Sequence, residues 1–331
     1  PLTVYTPKPI VPVVNRPFLL YQIETLARSG VTDITLSLSY QPDKIEDILG
    51  DGSDYGVQLH FVTEPTPRGT GGAFKFAASG SNETTIVFNG DILTDVNLDK
   101  IIARHNEKRA AATITLTPVE DPSAYGLVQA DASGAVQRFL EKPKLEDLAD
   151  LNVNTINAGI YILEPEILDF IPEDESISFE YDVFPAILDQ KLGFFAYVLD
   201  DDYWRDIGNP ANYLAAHKDI LAGGVKGFER PKPFAEEFAT AAVIDKSSVI
   251  GDGCVIKPGA SIRNSVLGPG VHVEEKVLIE DSVIWSHTRI SSSAEIRGAI
   301  IARSCHIGRN TFISPGTVLG DKATLPDYSR T

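Results

Sequence analysis

The sequence predicts an α/β domain with a mainly parallel mixed sheet, followed by a β-helix of six-residue repeats. Three observations carry this. From Pro17 to about Leu221, segments with helical spacing alternate with short strand-like segments, the order that builds a sheet with helices on both faces. From Ile244 onward the alternation gives way to aliphatic residues about every six positions, a period that fits neither an isolated helix nor a hairpin sheet. Between them, residues 222–240 hold Gly223-Gly224, Pro231 and Pro233 among polar residues and read as a junction. The expected domains are therefore 1–221, a linker at 222–240, and 241–331.

In the first domain, Phe18 to Ser29 has Leu19, Ile23, Leu26 and Ala27 at helical spacing and stops at Gly30. Val31 to Ser39 reads as a strand, and Pro42 to Leu49 as a short helix with proline at its start and Gly50 after it. Val57 to Val62 alternates as a strand. A Pro/Gly-rich loop and a small-residue helix then lead to Thr84–Phe88, expected to be a buried strand ending at Asn89-Gly90-Asp91. A helix (Leu98 to Lys108), a strand (Ala112 to Thr117) and a hairpin of Leu127–Ala130 with Ala135–Phe139 follow. In the second domain the aliphatic positions are Ile244, Ile250, Ile256, Ile262, Leu267, Val273, Leu278, Ile284, Ile290, Ile296, Ile301, Ile307, Ile313 and Leu319. Each would fill the interior of a triangular prism.

Composition removes several classes of function. The 331 residues carry 29 Lys+Arg against 46 Asp+Glu, a net charge of −17, which argues against nucleic-acid binding because that affinity comes from clustered cations. No apolar run approaches the ~20 residues of a membrane span. Cys254 and Cys305 are the only cysteines, too few for a disulfide framework and in keeping with a reducing cytoplasm. There is no methionine, and Pro1-Leu2-Thr3 reads as the middle of a motif, so further residues are expected ahead of Pro1.

The residues suited to chemistry cluster at strand ends, where open α/β sheets bind ligands. Lys8, between Pro7 and Pro9, is a stiffened cation in an acidic chain and suits a phosphate, although a proline-rich surface turn would look the same. Glu64 opens a loop into Gly69-Thr70-Gly71-Gly72, where glycines allow close approach of a flat ligand and a helix N-terminus favours an anion. Asp91 and Asp206 each follow a strand, and two carboxylates suit a hard cation such as Mg²⁺. Tyr125-Gly126, Glu141-Lys142-Pro143 and Asn157-Ala158-Gly159 border the hairpin and suit sugar hydroxyls and a phosphate. The six histidines lack metal-ligand spacing, and His272, His287 and His306 are expected on the β-helix surface. No Gly-x-Ser-x-Gly elbow, Walker loop or zincin motif is present.

Taken in order, these motifs resemble the sugar-1-phosphate nucleotidyltransferases, most closely the mannose-1-phosphate guanylyltransferases. The resemblance runs through Pro1-Leu-Thr with Pro7-Lys-Pro9, Glu64 with Gly69-Thr70, Asn89-Gly-Asp91, Tyr125-Gly126 and Glu141-Lys-Pro143. It continues through Asn157-Ala-Gly-Ile-Tyr161, Phe184-Pro185, Trp204-Arg-Asp-Ile-Gly208 and the C-terminal repeats. It implies a Rossmann-like (GT-A-like) catalytic domain and a left-handed parallel β-helix. The family's glycine-rich loop with its catalytic arginine would stand just before Pro1. Lys8 would contact phosphate, with Asp91 and Asp206 holding Mg²⁺. Gly69 and Thr70 would lie at the nucleotide, Tyr125, Gly126, Glu141 and Asn157 at the sugar, and Lys142 at its phosphate. The reaction implied is in-line attack of a sugar-1-phosphate oxygen on the nucleotide α-phosphorus, with no protein nucleophile.

Glu64 bears on the base. Thymidylyl and uridylyl members of the family typically carry glutamine at this place, whereas an ionised glutamate only accepts hydrogen bonds. Guanine offers two donors on one edge, so Glu64 is expected to select GTP. The alternatives are glucose-1-phosphate with UTP or dTTP, a non-catalytic regulatory subunit that binds sugar nucleotide, and a bifunctional enzyme whose β-helix transfers acyl groups. The regulatory subunit should lack Lys8, Asp91 or Asp206, and all three are present. The β-helix has no long inserted loop and is expected to be a scaffold for a homo-oligomer.

Overall fold

The computed structural model describes residues 1–120, 125–140, 154–173, 175–228 and 241–331. A hairpin of β1 (Pro12–Val13) and β2 (Arg16–Pro17) leads into α1 (Leu19–Arg28), β3 (Asp33–Leu38), α2 (Pro42–Leu49) and β4 (Gln58–Thr63). Next come α3 (Gly69–Ala77), β5 (Thr85–Phe88), β6 (Ile92–Thr94), α4 (Leu98–Lys108), β7 (Ala112–Pro118), β8 (Leu127–Ala130) and β9 (Val136–Leu140). The α/β part closes with β10 (Thr155–Leu163), α5 (Phe184–Asp189), β11 (Phe194–Val198), β12 (Trp204–Asp206) and α6 (Pro210–Leu221). Helix ends follow local chemistry: Asn97 accepts from the Lys100 N–H to cap α4, and Asn209 does the same for α6 through Asn212. Packing divides the chain into two compact units, Gln22–Trp204 and Pro1–Tyr21 with Arg205–Thr331.

In the unit Gln22–Trp204 the sheet is mixed. β7 pairs in parallel with β11, while β3 and β4 form a separate parallel pair. The long β10 runs antiparallel to β7 along one edge, and its other edge is shared between β8 and β5. Counting βαβ units from the sequence does not reveal this reversed central strand. Its side chains from Ile156 on are almost all buried, and Tyr161 packs against Phe179 and Phe184 at centroid distances of 5.3 and 5.2 Å. β5, expected to be buried, is only half-buried along its length. Among the described residues its ladder is with β10. The ladder of β10 on β7 shifts register between Asn157 and Tyr161, a bulge that contains Gly159 at φ 70.

In the other unit, residues 243–325 form three parallel sheets of five short strands each, with coils of 17 or 18 residues. Ile262, Leu267, Val273, Ile284, Ile290, Ile296, Ile301, Ile307 and Ile313 fill the interior, as the sixfold spacing requires. One position differs from expectation: Ile279 is fully buried, while Leu278 stands half-exposed. With Ile279 inside, every five-residue step falls at the same corner of the prism, after Ile262, Ile279 and Ile296. The corners turn through left-handed residues, among them Gly253, Gly259, Asn264, Gly270, Lys276, Asp281 and His287. Serines stack from coil to coil: the Ser265 N–H donates to Ser248 Oγ at 3.2 Å and the Ser282 N–H to Ser265 Oγ at 3.1 Å. His272, His287 and His306 are exposed, as expected. Among the described residues no helix is long and apolar enough to cross a membrane.

Candidate active site

The expected site residues fall in both units. In Gln22–Trp204, the bulge of β10 gathers several of them. The Asn157 N–H donates to the Gly126 carbonyl at 2.9 Å, which sets Tyr125-Gly126 beside Asn157. The Asn89 N–H donates to the Gly159 carbonyl at 2.8 Å, bringing up the loop that carries the half-buried Asp91. A Cβ on Gly159 would stand 2.8 Å from Asn89 Nδ2, so glycine is required for this approach.

A hydrogen-bond chain then leads from the bulge to α3. Asn157 Nδ2 donates to the Tyr161 hydroxyl at 2.8 Å, and Asn157 Oδ1 accepts from the Gly159 N–H at 2.9 Å. The Tyr161 hydroxyl donates to Glu180 Oε1 at 3.4 Å, while Glu180 Oε2 accepts from Thr70 at 2.9 Å and from Ser178 at 2.6 Å. Because the Glu180 carboxylate only accepts, it fixes the direction of the chain, and Asn157 is left with one N–H of its amide for other partners. Thr70 also accepts from the Phe179 N–H at 2.9 Å.

Glu64 closes the loop ahead of α3. Its Oε2 accepts from the Arg68 N–H and its Oε1 from Ser37, both at 3.0 Å. These bonds use half of the roughly four acceptor positions of a carboxylate. The glycines after it serve a purpose the sequence did not show. Gly69 sits at φ 70 with its missing Cβ 2.5 Å from the Ile177 carbonyl, and a Cβ on Gly72 would lie 2.7 Å from the Glu175 carbonyl. Gly71 and Gly72 both donate to Ile177 O, at 2.9 and 3.1 Å. The close approach at these glycines is thus to the chain itself, and two amides of the helix N-terminus, expected to favour an anion, are spent on Ile177.

In the unit of Pro1–Tyr21 with Arg205–Thr331, Lys8 begins a short 3₁₀ turn and Asp206 ends β12. Both flank Gly208: a Cβ there would lie 2.9 Å from Asp206 Oδ2 and 3.9 Å from Lys8 Nζ. Asp206 accepts from the Gly208 N–H at 3.0 Å and from Asn212 Nδ2 at 2.9 Å. These bonds orient the half-buried carboxylate. Among the described residues no group of three His, Cys, Asp or Glu could hold a metal. A Mg²⁺ site built on one or two carboxylates and substrate phosphates needs no such cage, and the hard oxygens of Asp206 beside a lysine fit that mode. Glu141 and Lys142 lie outside the described residues.

Three residues that sequence reasoning gave no role complete the picture. Gln22 Nε2 donates to the carbonyls of Asn89 and Ile92, each at 2.8 Å, and so holds the Asp91 loop from both sides. Trp204 Nε1 donates to the Ala158 carbonyl at 2.8 Å, with its ring edge-on to Tyr125 at 6.0 Å. Glu180 is the third, and its acidic-aromatic surroundings in Phe179-Glu-Tyr-Asp carry no periodic signal.

Residues 1–223 match the family model described as nucleotidyl transferase. The chain belongs to the nucleotidyl transferase family. Residues 235–329 of this family member match a second model, the EIF2B subunit epsilon LbH domain. A mannose-1-phosphate guanylyltransferase of Mycobacterium tuberculosis is 36% identical over 85% of this chain and 79% of its own length. A mannose-1-phosphate guanyltransferase of Pichia angusta is 33% identical over 99% of this chain and 89% of its own. The crystal structure of HddC from Yersinia pseudotuberculosis aligns with a TM-score of 0.56 at 33% identity, covering 65% of this chain and 90% of that one. A second HddC structure, complexed with GMP-PN, aligns at 0.54.

Proposed function

We propose that this nucleotidyl transferase moves the guanylyl group of GTP to mannose-1-phosphate, giving GDP-mannose and pyrophosphate. The observation that carries this reading is that relatives named for that reaction match 85–99% of the chain, through both its domains. A phosphate oxygen of mannose-1-phosphate attacks the α-phosphorus of GTP in line, and the bond to the β-phosphate breaks as pyrophosphate leaves. No protein nucleophile takes part, so the rate comes from alignment and charge neutralisation.

In this reading Lys8 binds phosphate, and Asp91 and Asp206 hold Mg²⁺, which when bound neutralises the charge of the reacting phosphates. Glu64 accepts from the guanine edge with acceptor positions left by Ser37 and Arg68. Gly69 and Thr70 line the nucleotide. Tyr125, Gly126 and Asn157 meet the sugar, with the single remaining Asn157 N–H donating to a sugar oxygen. Glu141 and Lys142 take the sugar and its phosphate by the resemblance alone. Self-association through the β-helix and residence in the cytoplasm complete the proposal.

The test is pyrophosphate release by the protein with Mg²⁺, with GTP, UTP, dTTP and ATP each set against mannose-1-phosphate and glucose-1-phosphate. Release confined to GTP with mannose-1-phosphate is expected. Release with another pair would keep the reaction class and overturn the specificity. Silence with every pair would favour a regulatory subunit that binds sugar nucleotide.

A further inference from the structure

Lys8 stands in a segment with little regular structure of its own. Lys8–Ile10 is a single 3₁₀ turn, and β1 and β2 pair through two residues each. The turn between them places Val14 at φ 47 and Asn15 at φ 63. Asparagine tolerates left-handed backbone, but a β-branched valine there is strained, and such strain persists only when the surroundings enforce it.

Tyr21 helps from nearby, its hydroxyl donating to the Val13 carbonyl at 2.9 Å, and the rest of the enforcement comes from residues two hundred and more positions away. The buried Val14 donates its N–H to Nδ1 of His217 at 3.2 Å, and the Tyr213 hydroxyl donates to the Pro12 carbonyl. That hydroxyl accepts from Trp285 Nε1 at 3.0 Å. Asn15 Nδ2 donates to the Leu267 carbonyl at 2.8 Å. The Arg303 guanidinium donates to the hydroxyl of buried Thr6 and lies 5.7 Å from the Trp285 ring centroid. Nearer the chain start, Pro1 O would be 3.3 Å from a Cβ on Gly320. Leu267, Trp285, Arg303 and Gly320 belong to four successive coils, so Asn15 back to Pro1 is laid along one side of the β-helix, one coil after another.

We propose that the β-helix is a positioning element of the reaction: this side of it sets the backbone that carries Lys8, through Leu267 on Asn15, Trp285 and Tyr213 on Pro12, and Arg303 on Thr6. The inference rests on Lys8 being the phosphate-binding residue, as proposed above. A β-helix that served self-association alone would have no need to reach within two residues of Lys8 or to hold a strained turn beside it.

The experiment is a double-mutant cycle in the full chain. Asn15→Gly keeps a residue at ease with positive φ and removes only the donor to Leu267. Trp285→Phe keeps a ring and removes the donor to Tyr213. Each is measured for kcat and KM in the wild-type and Lys8→Ala backgrounds. Loss of one neutral hydrogen bond should lower kcat by about two- to tenfold in the wild-type background. KM for mannose-1-phosphate should not move, and neither change should cost anything further once Lys8 is gone, which a merely structural role would not produce. The same fold-loss in both backgrounds, or no loss of kcat from either change, would overturn the positioning role while leaving Lys8 its own. Full activity in Lys8→Ala would instead overturn the role of Lys8, and the positioning with it.

Discussion

Acid should loosen the unit built on the β-helix before it affects the rest of the chain, and His217 is the reason. Its Nδ1 accepts from the Val14 N–H, so the neutral ring carries its proton on Nε2, which finds no partner among the described residues in its buried place. Burial pushes its pKa down to about 3. In the unfolded chain the imidazole titrates near 6.5, so between those values the unfolded state holds one proton more than the folded state. Stability therefore rises with pH across this window and falls as pH drops below about 6.5. At pH 5 the gap between about 6.5 and 5, at about 1.36 kcal/mol per unit, predicts a loss of about 2 kcal/mol relative to pH 7.5. Few ordinary carboxylates titrate above pH 5, and the share of the loss due to this group is the difference from a variant without His217. Of the two tryptophans, Trp285 is buried in this unit, and a Trp204→Phe background makes its fluorescence the reporter of urea unfolding. His217→Gln cannot titrate and should be flat between pH 7.5 and 5. Equal losses with and without His217 would refute the assignment.

Other sites give sharper single outcomes. Glu64→Gln should lower kcat/KM with GTP and raise it with UTP or dTTP, and an unchanged base preference would sink the selection argument. Gly69→Ala places a Cβ 2.5 Å from the Ile177 carbonyl at a φ of 70, so the loop must shift; KM for the nucleotide should rise about tenfold, with melting lowered by a few degrees. Ile279→Ala should cost about 2–5 kcal/mol in urea unfolding, while Leu278→Ala should cost well under half of that; equal costs would restore Leu278 to the interior. Chelation of divalent metal should stop pyrophosphate release and added Mg²⁺ restore it, with Asp206→Asn needing more Mg²⁺ for half-activity; release that survives chelation would refute a metal at Asp206.

Much of the fold was legible because its driving force is periodic. Burial of one aliphatic side chain per strand writes a six-residue rhythm into the sequence, and α2 begins at Pro42 and stops at Gly50 as its residue types demand. The slip within that rhythm, Leu278 for Ile279, arose because Leu278, Ile279 and Glu280 follow one another and two aliphatic residues compete for one inward place. Strand direction leaves no such trace. In the sequence Asn157-Ala158-Gly159 reads only as a border of the hairpin, and it is the ladders of β10 that show a strand running against β5 and β7.

The site was legible to the extent that its residues recur as short motifs, and illegible where they are joined by support. Thr70 and Asn157 could be named from the sequence, but their union through Tyr161 and Glu180 depends on a register shift in β10 that no local pattern encodes. The glycines after Glu64 were read by residue type as room for a ligand, whereas the structure adds a second demand for glycine, the close approach of Gly69 and Gly72 to the carbonyls of Ile177 and Glu175. The same holds for Lys8. Its prolines promise a stiff turn, yet the strained Val14 that follows is held by His217, and Asn15 beside it by the Leu267 carbonyl. Residues that perform chemistry are constrained in type and so show in one sequence. Residues that aim them are constrained only in place, and place is a property of the folded chain.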